Sequence, residues 1–173
     1  MRHVLAIDQG TTGTTCLVIA ADGRVAGRAY RELPQHFPEP GWVEHDAMDI
    51  LSGVLDAGRE AIAKAGVTPD AIGITNQRET TVVWDRTTGT PVYNAIVWQD
   101  TRTQPIVERL AGTEGVDRYK AKVGLPLSTY FSGTKIVWIL ENVDGARARA
   151  LGGRCQAFVS RRDPRRGRRT RAL

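Results

Sequence analysis

Cysteine is nearly absent from this chain of 173 residues: Cys16 and Cys155 stand too far apart for the paired spacing of a zinc or redox site. The three histidines have no carboxylate or thiol partners at ligand spacing, so no metal centre built from side chains alone is indicated. No apolar run approaches the ~20 residues of a membrane-spanning helix. The amino-terminal residues also lack the apolar stretch and small-residue cleavage site of a secretory signal. A cytoplasmic protein with reduced thiols and no membrane insertion is the expectation. Glycine (18) and proline (8) are scattered without period, which excludes collagen-like and low-complexity chains.

The net charge of +5 suggests a nucleic-acid partner until its distribution is examined. Residues 151–173 hold eight arginines and one aspartate, whereas the remaining 150 residues carry 16 basic and 18 acidic side chains. The excess belongs to the tail, so the rest of the chain offers no electrostatic reason to bind nucleic acid. The tail has Phe158 as its one aromatic residue and no recognisable motif, so any binding there would be salt-sensitive and unspecific.

Apolar runs Val4–Ile7 and Cys16–Ala21, the turn pair Asp22-Gly23 and the run Val25–Tyr30 predict three antiparallel strands. From Asp46 the apolar positions recur at three- and four-residue spacing up to Gly66, which predicts a helix with Asp46 and Gly66 as its caps. Ala71–Thr75 reads as a buried strand, and Thr80–Trp84 pairs with Pro91–Ala95 across Thr88-Gly89. Helices follow at 103–110, 115–123 and 133–142. This order predicts an α/β domain with a mixed sheet.

The most distinctive stretch is Asp8-Gln9-Gly10-Thr11-Thr12-Gly13-Thr14-Thr15. An aspartate at a strand end can hold a hydrated Mg²⁺. The glycines allow a tight turn, and backbone N–H groups with four threonine hydroxyls can donate to phosphate. An ordinary hairpin is the plain alternative. Neither a Walker loop nor GxGxxG is present.

Together with this hairpin, the stretches PGWVEHD (40–46), GITNQRETTVVWD (73–85), YNAIVWQDTRT (93–103) and YFSGTKIVWILENV (130–143) resemble the N-terminal domain of the glycerol kinases within the FGGY carbohydrate kinase family. The resemblance covers residues 1–148 and implies the actin-like ATPase (ribonuclease H-like) fold. It implies ATP and Mg²⁺ as cofactors and transfer of the γ-phosphate to glycerol, giving sn-glycerol 3-phosphate. By resemblance, glycerol falls to Arg78, Glu79, Trp98 and Tyr130. The nucleotide falls to Thr11, Thr12 and Gly13, and the metal to Asp8. Thr15 stands where many of these kinases have arginine beside the phosphates, so it keeps a donor without the charge. The donor fork of Arg78, the acceptor Glu79 and the Tyr130 hydroxyl suit a triol, with Trp98 as apolar wall. A solvated pair and a core aromatic are the plain alternatives for Arg78, Glu79 and Trp98.

The resemblance also implies that the catalytic base, an aspartate, and the adenosine-binding domain belong to later sequence, so this chain is expected to be an incomplete domain, inactive alone. Full-length members are expected to be homo-oligomers. From 149 to 173 an arginine-rich, disordered tail replaces the FGTVDTWL-like stretch of the family, with a shifted reading frame as the preferred explanation and a natural basic arm as the other. Another sugar kinase of the family, such as a pentulose kinase, and an inert fragment remain the alternative functions.

Overall fold

The computed structural model describes residues 2–158. Its first three strands, β1 (His3–Gln9), β2 (Gly13–Ala20) and β3 (Val25–Glu32), form the expected antiparallel meander. Alternation sets one face: Leu5, Ile7, Cys16, Val18 and Ala29 all point into one core. At the Asp22-Gly23 turn the aspartate carboxylate accepts Arg24 N–H, and Gly23 takes φ 85°. After the short β4 (Glu44–His45), helix α1 (Ala47–Ala65) packs across this face. Its buried residues are the small Ala57, Gly58 and Ala61, so helix and sheet approach closely. A β-carbon at Gly27 of β3 would collide with the Ala61 carbonyl.

β5 (Ala71–Asn76) returns parallel to β1 and gives the sheet order β3-β2-β1-β5. The expectation that this strand is buried fails: Ile72 and Ile74 are 64% and 71% exposed. β5 is the edge of its sheet, and among the described residues its substantial packing is with β1 alone.

The remaining elements are small. β6 (Val82–Asp85) faces the 90–96 segment, with Val92 N–H donating to Val83 O and Asp85 N–H to Thr90 O, so the expected pairing is present. β7 (Ala95–Ile96) pairs with β4. Helices α2 (Gln104–Ala111) and α4 (Ser132–Asn142) match expectation. The helix expected at 115–123 shortens to α3 (Lys120–Val123), because Gly115 takes φ 77° and the segment buries no apolar face.

Regular structure continues past the expected domain end at 148. α5 (Ala146–Leu151) runs through it, and β8 (Cys155–Phe158) pairs antiparallel with β6, tied also by Arg154 to Asp85 at 3.1 Å. Backbone pairing requires no apolar periodicity, which is why the composition of this stretch hid it. Of the tail expected to be disordered from 149 to 173, residues 149–158 include the end of α5 and β8, and residues 159–173 lie outside the described residues.

Candidate functional site

β1 and β5 run side by side in the same direction, so their carboxyl ends open on one edge of the sheet. There a cleft of about 390 Å³ forms. Five of the residues singled out in the sequence line it: Asp8 and Thr11 from the β1–β2 hairpin, and Arg78, Trp98 and Tyr130 from three separate segments. Trp98 joins the two groups, since its indole N–H donates to the Thr11 hydroxyl at 2.9 Å. Its ring meets that of Tyr130 edge-on, with centroids 5.9 Å apart.

The other four expected residues lie elsewhere. Glu79 has the unusual φ of 65°, and its Oε2 accepts from the backbone N–H and hydroxyl of Ser132 at 2.9 and 2.7 Å. Its carboxylate therefore satisfies a free N–H in the first turn of α4. Glu79 borders a second pocket of about 930 Å³ that shares the walls Arg78 and Tyr130 with the first. Gly13, expected at the nucleotide, begins β2, where a β-carbon would overlap the Tyr30 hydroxyl and Arg31 carbonyl. Close approach of β3 explains that glycine without a ligand. Thr12 uses its carbonyl to accept from Tyr30 Oη and Leu33 N–H. Thr15 sits opposite Asp8 in the ladder, half-buried, and does not line the cleft.

Sequence reasoning overlooked Thr75, Asn76 and Gln77 as cleft residues. Their signal was a polar triplet directly after the apolar run of β5. Gln77 is buried, accepts from Thr80 Oγ1 at 2.8 Å and approaches Gly10 O at 3.4 Å, while Thr80 Oγ1 accepts the Trp98 backbone N–H. Behind Gln77 sits the fully buried His45, whose pKa burial pushes down to about 4, with the nearby His36 contributing.

Among the described residues no group of three or more His, Cys, Asp or Glu side chains could enclose a metal. Asp8 offers one exposed carboxylate at the cleft. That donor set fits Mg²⁺, which retains much of its water and takes one or two carboxylates plus phosphate oxygens.

The N-terminal domain of the FGGY family of carbohydrate kinases matches residues 3–160. The chain is 59% identical over 155 residues to a glycerol kinase of Clavibacter michiganensis subsp. michiganensis, a match covering 88% of this chain and 31% of that protein. A glycerol kinase of Beutenbergia cavernae is 59% identical over 87% of this chain and 30% of its own length. The chain thus spans about a third of these relatives. Among solved structures, Plasmodium falciparum glycerol kinase with ADP superposes with a TM-score of 0.87 at 33% identity, over 91% of this chain and 32% of that one. A xylulose kinase from Rhodospirillum rubrum, 23% identical with a TM-score of 0.78 over 85% and 30% of the two chains, shares the fold. With the family's N-terminal domain matched over residues 3–160 and a glycerol kinase superposing over 91% of its length, the chain belongs to the FGGY family of carbohydrate kinases and carries that family's N-terminal domain.

Proposed function

We propose that this chain provides the phosphate- and acceptor-binding part of an ATP-dependent glycerol kinase, which transfers the γ-phosphoryl group to a terminal hydroxyl and yields sn-glycerol 3-phosphate. The observation that carries the reading is the Trp98–Thr11 hydrogen bond, which brings a wall suited to a small polyol against a hairpin suited to phosphate. Identity to glycerol kinases over most of the chain supports the choice of acceptor. Arg78 donates to acceptor hydroxyls, Tyr130 adds a hydroxyl, and Trp98 flanks the carbon chain. Glu79 reaches the same acceptor through the pocket it shares with Arg78. Thr11 and the hairpin N–H groups orient phosphate, and Asp8 holds hydrated Mg²⁺, which when bound neutralises charge on the transferred group. Thr12, Gly13 and Thr15 support the hairpin's shape. We assign the base to the part of the relatives' length that this chain does not span, because Asp8 serves the metal and Glu79 is engaged by Ser132. We place the reaction in the cytoplasm.

The test joins the matched region to the remaining two thirds of the C. michiganensis enzyme. The chimera is expected to consume ATP in a glycerol-dependent way. Arg78→Ala should raise the glycerol KM by about tenfold or more and leave that for ATP nearly unchanged, since a buried substrate hydroxyl loses its partner. Asp8→Ala should do the reverse. Thr11→Ala should disturb both, because the same hydroxyl steadies Trp98. Better turnover of a pentulose than of glycerol, or an Arg78→Ala defect confined to ATP, would refute the reading.

A further inference from the structure

Lys135, the fourth residue of α4, is fully buried beside the site yet lines neither pocket. Its Nζ donates to the carbonyls of Thr129 and Tyr130 at 2.6 and 2.7 Å. Burial pushes its pKa down to about 8 against the opposing pull of the Asp100 and Glu79 carboxylates, with the Arg102 charge adding to the fall. Four residues later on the same helix Ile139 is also fully buried, so an apolar residue would satisfy packing at 135. A lysine there bears an unfavourable burial that packing alone does not explain.

What the ammonium holds is the segment leading into α4. Besides this tie, Thr134 Oγ1 on α4 donates to Phe131 O at 3.2 Å and reaches Ser128 O at 3.5 Å, and local bonds to Ser128 steady the segment: Tyr130 N–H to its hydroxyl at 3.1 Å and Phe131 N–H to its carbonyl at 3.4 Å. Tyr130 stands between the two pockets with its ring against Trp98 and Phe131. At the same helix end Ser132 grips Glu79. The first turn of α4 therefore supports two acceptor-facing residues from one rigid element, the arrangement that keeps a site within its working tolerance.

We propose that Lys135 is a positioning residue for the acceptor pocket, tying the 129–130 backbone to α4 so that Tyr130 stays against Trp98 while Glu79 keeps its place beside the same turn. Its consequence for acceptor affinity rests on the glycerol reading; the tie itself does not. The loss of Lys135 should weaken binding of a small polyol and spare nucleotide contacts, which lie on the β1–β2 hairpin.

The experiment uses the full chain in three variants. Lys135→Met keeps length and removes the donors, Lys135→Gln keeps a shorter donor, and Ile139→Ala opens a cavity on the same helix without touching the tie. Amide hydrogen exchange at 130–132, compared with α1, and the response of the Tyr130 and Trp98 signals to glycerol are measured by nuclear magnetic resonance. Lys135→Met is expected to speed exchange at 130–132 by about tenfold or more with α1 unchanged, and to weaken the glycerol response by about tenfold, the size expected for a lost buried hydrogen bond. Lys135→Gln should fall between, and it decides the matter where the Met variant does not fold. Exchange at 130–132 that is unchanged in the Lys135 variants, or that rises equally in Ile139→Ala at matched stability, overturns the proposal. A wild-type chain whose Tyr130 and Trp98 signals ignore glycerol defeats the acceptor reading; the tie then stands or falls on exchange alone.

Discussion

The sheet with its covering helix and the wall behind the acceptor cleft are held together by opposite means. Leu5, Ile7, Cys16, Val18, Ala29, Ala57 and Ala61 form one apolar cluster between sheet and α1, without a charged side chain. Behind the wall, the buried Arg102 guanidinium pairs with Glu44 and Asp100, each at 2.8 Å, and lies 3.8 Å from the Trp42 ring centre. Glu44 also accepts from Tyr93 Oη and Asn94 Nδ2, and Asp100 from Val43 N–H. Burial works against both charges, but these bonds outweigh it: Glu44 titrates below its ordinary value and Arg102 above. Apolar contact is non-directional and positions a sheet, whereas satisfied polar contacts fix angles. The wall needs angles, because β4, the 93–102 segment and α4 must each present a side chain in register.

The largest expected effect comes from removing the charge at the centre of the wall. Arg102→Ala should cost roughly 3–5 kcal/mol, because it leaves two buried carboxylates unpaired. Arg102→Lys should restore little, since a single ammonium cannot reproduce the forked contacts to both carboxylates and the stack on Trp42. In the sheet, Leu5→Ala should cost about 2–5 kcal/mol through its cavity, yet Leu5→Met should cost under about 1.5. Urea denaturation of the four variants checks the contrast. If Arg102→Lys is tolerated as well as Leu5→Met, the two regions do not differ in kind.

A smaller effect separates the regions by pH. The His45 imidazole, fully buried behind Gln77, is pushed down by that burial to about 4 in the folded chain, against an ordinary 6.5. Unfolding therefore takes up a proton between those values, and stability falls as pH drops through this window. By pH 5 the loss should reach about 2 kcal/mol relative to neutral pH. His45→Gln should flatten the slope of stability between pH 7 and 5, followed by thermal melts. An unchanged slope would show that carboxylates elsewhere govern acid sensitivity.

The same contrast decides what could be read from the sequence. Three strands, the long helix and its caps announced themselves through period and turn residues, since apolar burial leaves that trace. The cleft was half legible: Asp8 stands near the end of a strand and Thr11 just beyond it, and Arg78, Trp98 and Tyr130 came through resemblance. Gln77 and Lys135 were missed because a buried polar residue has no periodic signature and declares itself only through the partners the fold brings to it, such as Gln9 for Gln77 and the Thr129 carbonyl for Lys135. Ile72 and Ile74 misled for the converse reason. Their apolar character says that a cover suits them, not that one lies among the described residues.

The smallest predicted effect tests whether the sheet region owes anything to a single directional bond. Asp46 precedes α1 with φ −69° and ψ 123°, and its Oδ1 accepts the Met48 N–H at 2.7 Å. One of four unpaired N–H groups at the helix start is thereby satisfied, and the negative charge sits at the positive end of the helix dipole. At the other end Gly66, at φ 63°, returns its N–H to the Ala63 and Ile62 carbonyls and needs no side chain to do so. Asp46→Ala should therefore cost about 1 kcal/mol, and Asp46→Ser only a fraction of that, because serine keeps the acceptor and loses the charge. Both should leave the 129–132 segment unaltered in hydrogen exchange, since α1 packs on β1–β3 and that segment belongs to the entrance of α4. A loss several times larger, or one that reaches Tyr130, would mean that the apolar layer also depends on directional contacts and that the division between the two regions is not a physical one.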